Sequence, residues 1–98
     1  MKKSETKETG NRTLVGNREF KILRCHEFKD GNISFDMILN GIALYGLSLV
    51  WYKKEKRYFI GFPSRKGNDN KYYKYYWFET DEVFTEAVRS EIERILTE

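Results

Sequence analysis

The sequence predicts an α+β domain: a small twisted antiparallel β-sheet of four or five strands, wound as a meander and followed by one C-terminal α-helix. Three observations predict it. Between Phe20 and Phe78, apolar side chains recur at every second position in short runs separated by Gly, Asn and Asp turns. From Phe84 to Leu96 the spacing changes to three and four. The chain has 98 residues, 40% hydrophobic and 34% charged, which is enough for one modest core.

Residues 1–17 carry no aromatic residue and only Leu14 and Val15 as large aliphatics, so the sequence predicts a flexible N-terminal arm before a domain spanning 18–98. A first strand begins at Phe20 and Ile22, with Leu23 and Cys25 expected on its other face. Asp30-Gly31-Asn32 reads as a turn, because Gly and Asn accept positive φ. Ile33, Phe35, Met37 and Leu39 then alternate with Ser34, Asp36 and Asn40. Asn40-Gly41 is a hairpin signal, and the third strand runs from Ile42 to Tyr52. Its apolar phase slips at Gly46, which predicts a β-bulge. Lys53-Lys54-Glu55-Lys56 forms a polar turn, and Arg57 to Phe62 is a fourth strand closed by Pro63. Ser64 to Asn70 reads as a polar loop, and Tyr72 to Phe78 as a fifth strand. Thr80 is the expected helix N-cap. Phe84, Ala87, Val88, Ile92, Ile95 and Leu96 make the buried stripe of the helix and leave its acids outside.

The net charge is only +3, but it is unevenly divided. Residues 53–78 hold eight cations against two acids, a local +6. Residues 79–98 hold two arginines against seven acids, a local −5. A concentrated positive segment attracts polyanions whatever the total. The same segment holds Tyr-Tyr-Lys-Tyr-Tyr-Trp-Phe at positions 72–78, six aromatics in seven residues. Strand geometry divides it into Tyr73, Tyr75 and Trp77 on one face and Tyr72, Lys74, Tyr76 and Phe78 on the other. Only one face packs under a helix. The remaining rings are free to stack nucleic-acid bases, at about 1–3 kcal/mol per base. Arg65, Lys66, Lys71 and Lys74 are the candidate phosphate contacts. Tyr73, Tyr75 and Trp77 are the candidate stacking rings, replaced by Tyr72 and Tyr76 if the first set lies under the helix. Lys53, Lys54, Lys56 and Arg57 form an auxiliary basic patch.

Around these residues the chain resembles a known family. Ile60-Gly61-Phe62-Pro63-Ser64-Arg65-Lys66, followed by Asn68-Asp69-Asn70-Lys71-Tyr72, is similar to the proline–serine–basic segment of the SpoVG-like septation regulators (stage V sporulation protein G). Asn40 to Val50 resembles that family's second hairpin, and Glu86-Ala87-Val88 falls on a similar terminal helix. The resemblance covers about residues 18–96. It implies a small antiparallel sheet with a C-terminal helix, dimerisation through the sheet, and binding of DNA and RNA in which Arg65 and Lys66 take part. The chain differs from the family pattern in its extension before Phe20 and in Asp69-Asn70 where the family has Asp-Gly. It also has Tyr75-Tyr76-Trp77-Phe78 where the family has a polar stretch.

Other chemistry finds little support in the sequence. Cys25 and His26 are adjacent, so in a strand they point to opposite faces and make no nucleophile–base pair. Too few nitrogen and sulfur donors are present for a metal site within one chain. No glycine-rich phosphate loop occurs. The helix carboxylates, Glu79, Asp81, Glu82, Glu86, Glu91, Glu93 and Glu98, read as a solvated face that repels nucleic acid from that side. The expectation is a non-enzymatic nucleic-acid-binding protein without catalytic residues, metal or cofactor. A homodimer is expected, because so small a sheet leaves strand edges open. The alternative is a protein-interaction module, an accessory protein of a phage or mobile element, that docks a host protein through its aromatic face. No run approaches the roughly 18 apolar residues of a membrane helix. The start lacks a secretory apolar core, and Cys25 has no partner cysteine in the chain, so the expected location is cytoplasmic.

Overall fold

A computed structural model describes the backbone of Lys7 and Glu8 and all of residues 11–98. In chain order the elements are β1 (Lys7–Glu8), β2 (Thr13–Val15), β3 (Arg18–Glu27), β4 (Ile33–Leu39), β5 (Ile42–Tyr52), β6 (Arg57–Gly61), β7 (Ser64–Lys66), β8 (Tyr72–Lys74) and α1 (Glu82–Thr97). The main sheet is antiparallel with the order β1-β3-β4-β5-β6, and β2 shares the outer edge of β3 with β1. The fold is thus the α+β meander with one C-terminal helix. Among the described residues no helix is long and apolar enough to cross a membrane.

Two glycine-dependent features set the register. Asn40 and Gly41 both have positive φ, 49° and 84°, and join Leu39 directly to Ile42 across a two-residue hairpin. At Gly46 (φ 82°), the pairing jumps from Met37↔Leu44 to Phe35↔Leu47, so Tyr45 and Gly46 together oppose Asp36. This is the expected bulge, and the Gly46 N–H donates to Asp36 Oδ1 at 2.9 Å. It returns Leu47 and Leu49 to the core face.

A second bulge corrects the expected facing of Cys25. The β3–β4 register shifts between Ile22 and Arg24, so Leu23 is the extra residue. Its insertion brings Cys25 back to the buried face of Phe20 and Ile22. The helix lies over that face, against β2, β3 and β6. Phe84, Val88, Ile92 and Ile95 complete the core, and the Phe84 ring meets Phe20 edge-on at 5.6 Å.

Four further corrections concern the ends of the chain and the aromatic run. Thr13–Val15, expected in a flexible arm, pairs with β3 across the Gly16-Asn17 turn, and Val15 packs against the core. The rest of that expected arm includes residues 1–6, 9 and 10, which lie outside the described residues. Asp81, not Thr80, caps the helix: its backbone is extended and its carboxylate accepts the Phe84 N–H at 2.7 Å. Glu91 is not on the solvated face but buried, where it accepts the Asn11 N–H at 2.7 Å and pairs with Arg94. The strand expected over Tyr72–Phe78 stops at Lys74 and does not join the main sheet. It pairs with β7, inside the segment expected to be a polar loop.

Beyond Lys74 the aromatic run packs beside the first half of β5. The ladder between β5 and β6 covers only Ser48 to Tyr52, leaving that edge of the first half of β5 without a paired strand among the described residues. Residues 75–78 fold back toward it, and the Tyr76 hydroxyl donates to the Tyr45 carbonyl at 2.7 Å. Phe62 meets Tyr76 and Phe78 edge-on, and Phe78 meets Phe84. Side-chain packing thus holds this segment where a ladder would otherwise be expected.

Candidate nucleic-acid interface

The basic and aromatic residues singled out from sequence divide into two groups at opposite ends of β6. Arg65, Lys66, Lys71 and Lys74 gather on the β7–β8 hairpin, which follows the end of β6 through Phe62 and Pro63. Lys53, Lys54, Lys56 and Arg57 sit on the β5–β6 turn, before its start. Arg57 and Ser64 are seven positions apart, which at about 3.3 Å per extended residue sets an upper limit of about 23 Å.

The hairpin is built from its turn outward. In its ladder Arg65 opposes Tyr73, Lys66 opposes Tyr72, and Ser64 opposes Lys74. The turn closes through the Gly67 N–H to the Lys71 carbonyl at 2.7 Å and the Asn70 N–H to the Gly67 carbonyl at 3.1 Å. Asp69 braces it by accepting the Lys71 N–H at 3.1 Å and the Tyr73 hydroxyl. The Tyr73 bond, helped by the Lys71 N–H, holds the Asp69 carboxyl below its ordinary 3.8. The same bond pushes the Tyr73 hydroxyl above 10.0, so at neutral pH the acid is ionised and the phenol protonated. A Cβ on Gly67 would sit 2.7 Å from Tyr73 Cε2, so only glycine lets that ring lie over the turn. At the base of the hairpin the Tyr75 N–H donates to the Pro63 carbonyl at 2.8 Å.

The alternation expected for the aromatic run survives although the strand does not. Tyr76 and Phe78 are half-buried beside the core, whereas Tyr75 and Trp77 are 66% and 67% exposed. Tyr73 is 47% exposed, so the set Tyr73, Tyr75 and Trp77 faces solvent; Tyr72 does too. These exposed rings sit on a fixed base. Besides the Tyr75 and Tyr76 bonds, Arg18 donates to the Glu79 carbonyl at 2.6 Å, with its guanidinium over the Phe78 and Phe84 rings. Burial, with Asp36 nearby, raises the Tyr76 hydroxyl above its ordinary 10.0, which keeps it a donor.

The cations differ in what they face. Arg24, Arg57, Arg89 and Arg94 each pair with a carboxylate. Among the described residues, none of Arg65, Lys66, Lys71 and Lys74 forms an ion pair, and all four are exposed. Lys74 lies 5.8 Å from the Phe62 ring centroid. At the other end, Lys56 and Arg57 border a cleft of about 770 Å³ whose opposite wall carries Glu82 and Glu86 of α1. Glu82 there, and Glu55 through its bond to Arg57, offset part of the positive charge, whereas Asp69 is the one acid on the β7–β8 hairpin.

Sequence reading passed over Tyr52 and Phe59. They occupy neighbouring strands on the face turned away from the helix, and their rings meet edge-on at 6.1 Å. Their alternation with buried Leu49 and Ile60 was the available signal. Cys25 and His26 point to opposite faces, and no group of three or more His, Cys, Asp or Glu gathers among the described residues. No family model matches the chain, and no curated protein or solved structure matches it either.

Proposed function

We propose that the protein is a non-enzymatic nucleic-acid-binding protein whose principal contact is the β7–β8 hairpin. The observation that carries this reading is a cluster of four exposed cations without a carboxylate partner among the described residues, on the same hairpin and following segment as four exposed aromatic rings. Arg65, Lys66, Lys71 and Lys74 neutralise phosphates, and Tyr72, Tyr73, Tyr75 and Trp77 offer π faces to unpaired bases. The resemblance of residues 60–72 to the proline–serine–basic segment of the SpoVG-like regulators supports this reading, with the chain as a diverged relative acting on DNA or RNA. The protein acts as a homodimer, joined through the outer edge of β6, with which no strand pairs among the described residues.

The test is fluorescence anisotropy with labelled single- and double-stranded DNA and RNA at about 50 and 200 mM salt. Binding is expected to weaken steeply with salt. The double variant Arg65→Glu/Lys66→Glu should weaken it at least about tenfold and flatten the salt slope by about two phosphate contacts. An unchanged affinity in that variant removes the hairpin from the site. No binding at the lower salt assigns the exposed rings to a protein partner instead.

A further inference from the structure

The β5–β6 turn, so far only an auxiliary basic patch, has a feature that phosphate contact alone does not use. Tyr52 and Phe59 stand on the sheet face opposite the helix, 41% and 42% exposed, with their ring planes at 88°. With Glu55 and Arg57 they line a depression of about 330 Å³, within the range of small-molecule sites. Arg57 Nε donates to Glu55 Oε1 at 2.6 Å. That bond uses one of the guanidinium's five N–H groups and one of the two carboxylate oxygens. The remaining donors and acceptor lie side by side at the rim.

We propose that this depression is a nucleobase subsite: a base of the same single strand that contacts the hairpin stacks on the Tyr52 ring, with Phe59 as the side wall, and presents its edge to Arg57 and Glu55. The inference rests on the nucleic-acid reading above and adds a second point of contact. The chemistry selects the ligand. A free phosphate would meet the Glu55 carboxylate, and an aliphatic group would leave the Arg57 donors unused. A base offers a π face together with both donors and acceptors on its edge. Exposed Lys53, Lys54 and Lys56 on the same turn supply counter-charge for the flanking phosphates. A base paired within a duplex has no free face to stack, so the site takes an unpaired strand. With the two ends at most about 23 Å apart, a strand of no more than about seven stacked nucleotides at about 3.4 Å each reaches both.

The experiment compares oligothymidylates of about 4, 8, 12 and 16 nucleotides by anisotropy, using the full chain, Tyr52→Ala and Arg57→Gln. The wild-type protein is expected to gain at least about tenfold in affinity between the 4-mer and the 12-mer, because the longer strand reaches both ends. Both variants should lose most of that gain, while binding of the 4-mer should still depend on Arg65 and Lys66. Wild-type affinity that does not grow with length overturns the subsite. So does either variant, with an unchanged melting temperature, binding the 12-mer as tightly as the wild type. In these cases the hairpin reading stands if the 4-mer still depends on Arg65 and Lys66. Absence of binding at every length overturns both.

Discussion

Glu91 shows how a single residue ties the N-terminal segment to the helix. Its carboxylate accepts the backbone N–H of Asn11 and two guanidinium N–H groups of Arg94, which also pairs with Glu98. The Arg94 bonds, assisted by Asn11, hold its pKa below the ordinary 4.5 against the opposing effect of burial. A carboxyl with a depressed folded-state pKa contributes stability that is fully present above its unfolded value. That stability is lost as pH falls through the folded value. Glu91→Gln keeps the shape and loses the charge. It should destabilise the fold by about 1 kcal/mol at pH 7, the low side for a charged hydrogen bond because Arg94 is partly open to water. Thermal melts from about pH 7 to pH 3 should show the wild type approaching the variant as the acid limb is crossed. A difference that persists at the lowest pH would assign the effect to packing. The sequence already carried a hint of this role, since position 91 lies three residues after Val88 and four before Ile95, on the apolar stripe. An acid on such a stripe needs a partner, and none could be named before the fold placed Asn11 beside it.

Elements were legible where local chemistry decides them. Asn40-Gly41 permits little besides a tight hairpin, and the apolar phase slip around Gly46 required a bulge, so β4 and β5 follow directly from the pattern. The aromatic run was ambiguous for the opposite reason. Tyr, Trp and Phe favour any extended segment, and nothing in Tyr72–Phe78 chooses a partner strand. The choice is made elsewhere, by Pro63 after β6 and by the Gly67–Asp69 turn that brings β8 back onto β7. The helix start was misread by one residue because Thr80 and Asp81 both suit an N-cap. Asp81 holds the position through its bond to the Phe84 N–H. Asp81→Ala should therefore cost about 1 kcal/mol in urea unfolding, while Thr80→Ala should stay within about 0.5 kcal/mol. Equal losses in the two would mean that the cap is shared.

Charge at the scale of the whole molecule was visible in the sequence as +6 over residues 53–78, but its arrangement was not. A meander puts consecutive turns at opposite ends of a strand, so one basic segment became two patches separated by the length of β6. The same strand decides assembly. The β3 edge of the sheet is covered by β1 and β2, whereas no strand pairs with the outer edge of β6 among the described residues. β6 has no proline and no lysine, the usual protections of a free edge. Antiparallel pairing of two copies about a two-fold axis at Phe59 would set Arg57 opposite Gly61 and Tyr58 opposite Ile60. No like charges would meet, and the two phenyl rings would face each other across the axis. Light scattering after size exclusion should accordingly give twice the chain mass of 11.8 kDa at micromolar concentration. Phe59→Lys would put two ammonium groups opposite each other at the axis and should shift the protein to monomer without disturbing the buried face beneath the helix. A monomer in the wild type would leave the β6 edge uncovered in solution, and a dimer that survives Phe59→Lys would place the interface on another surface.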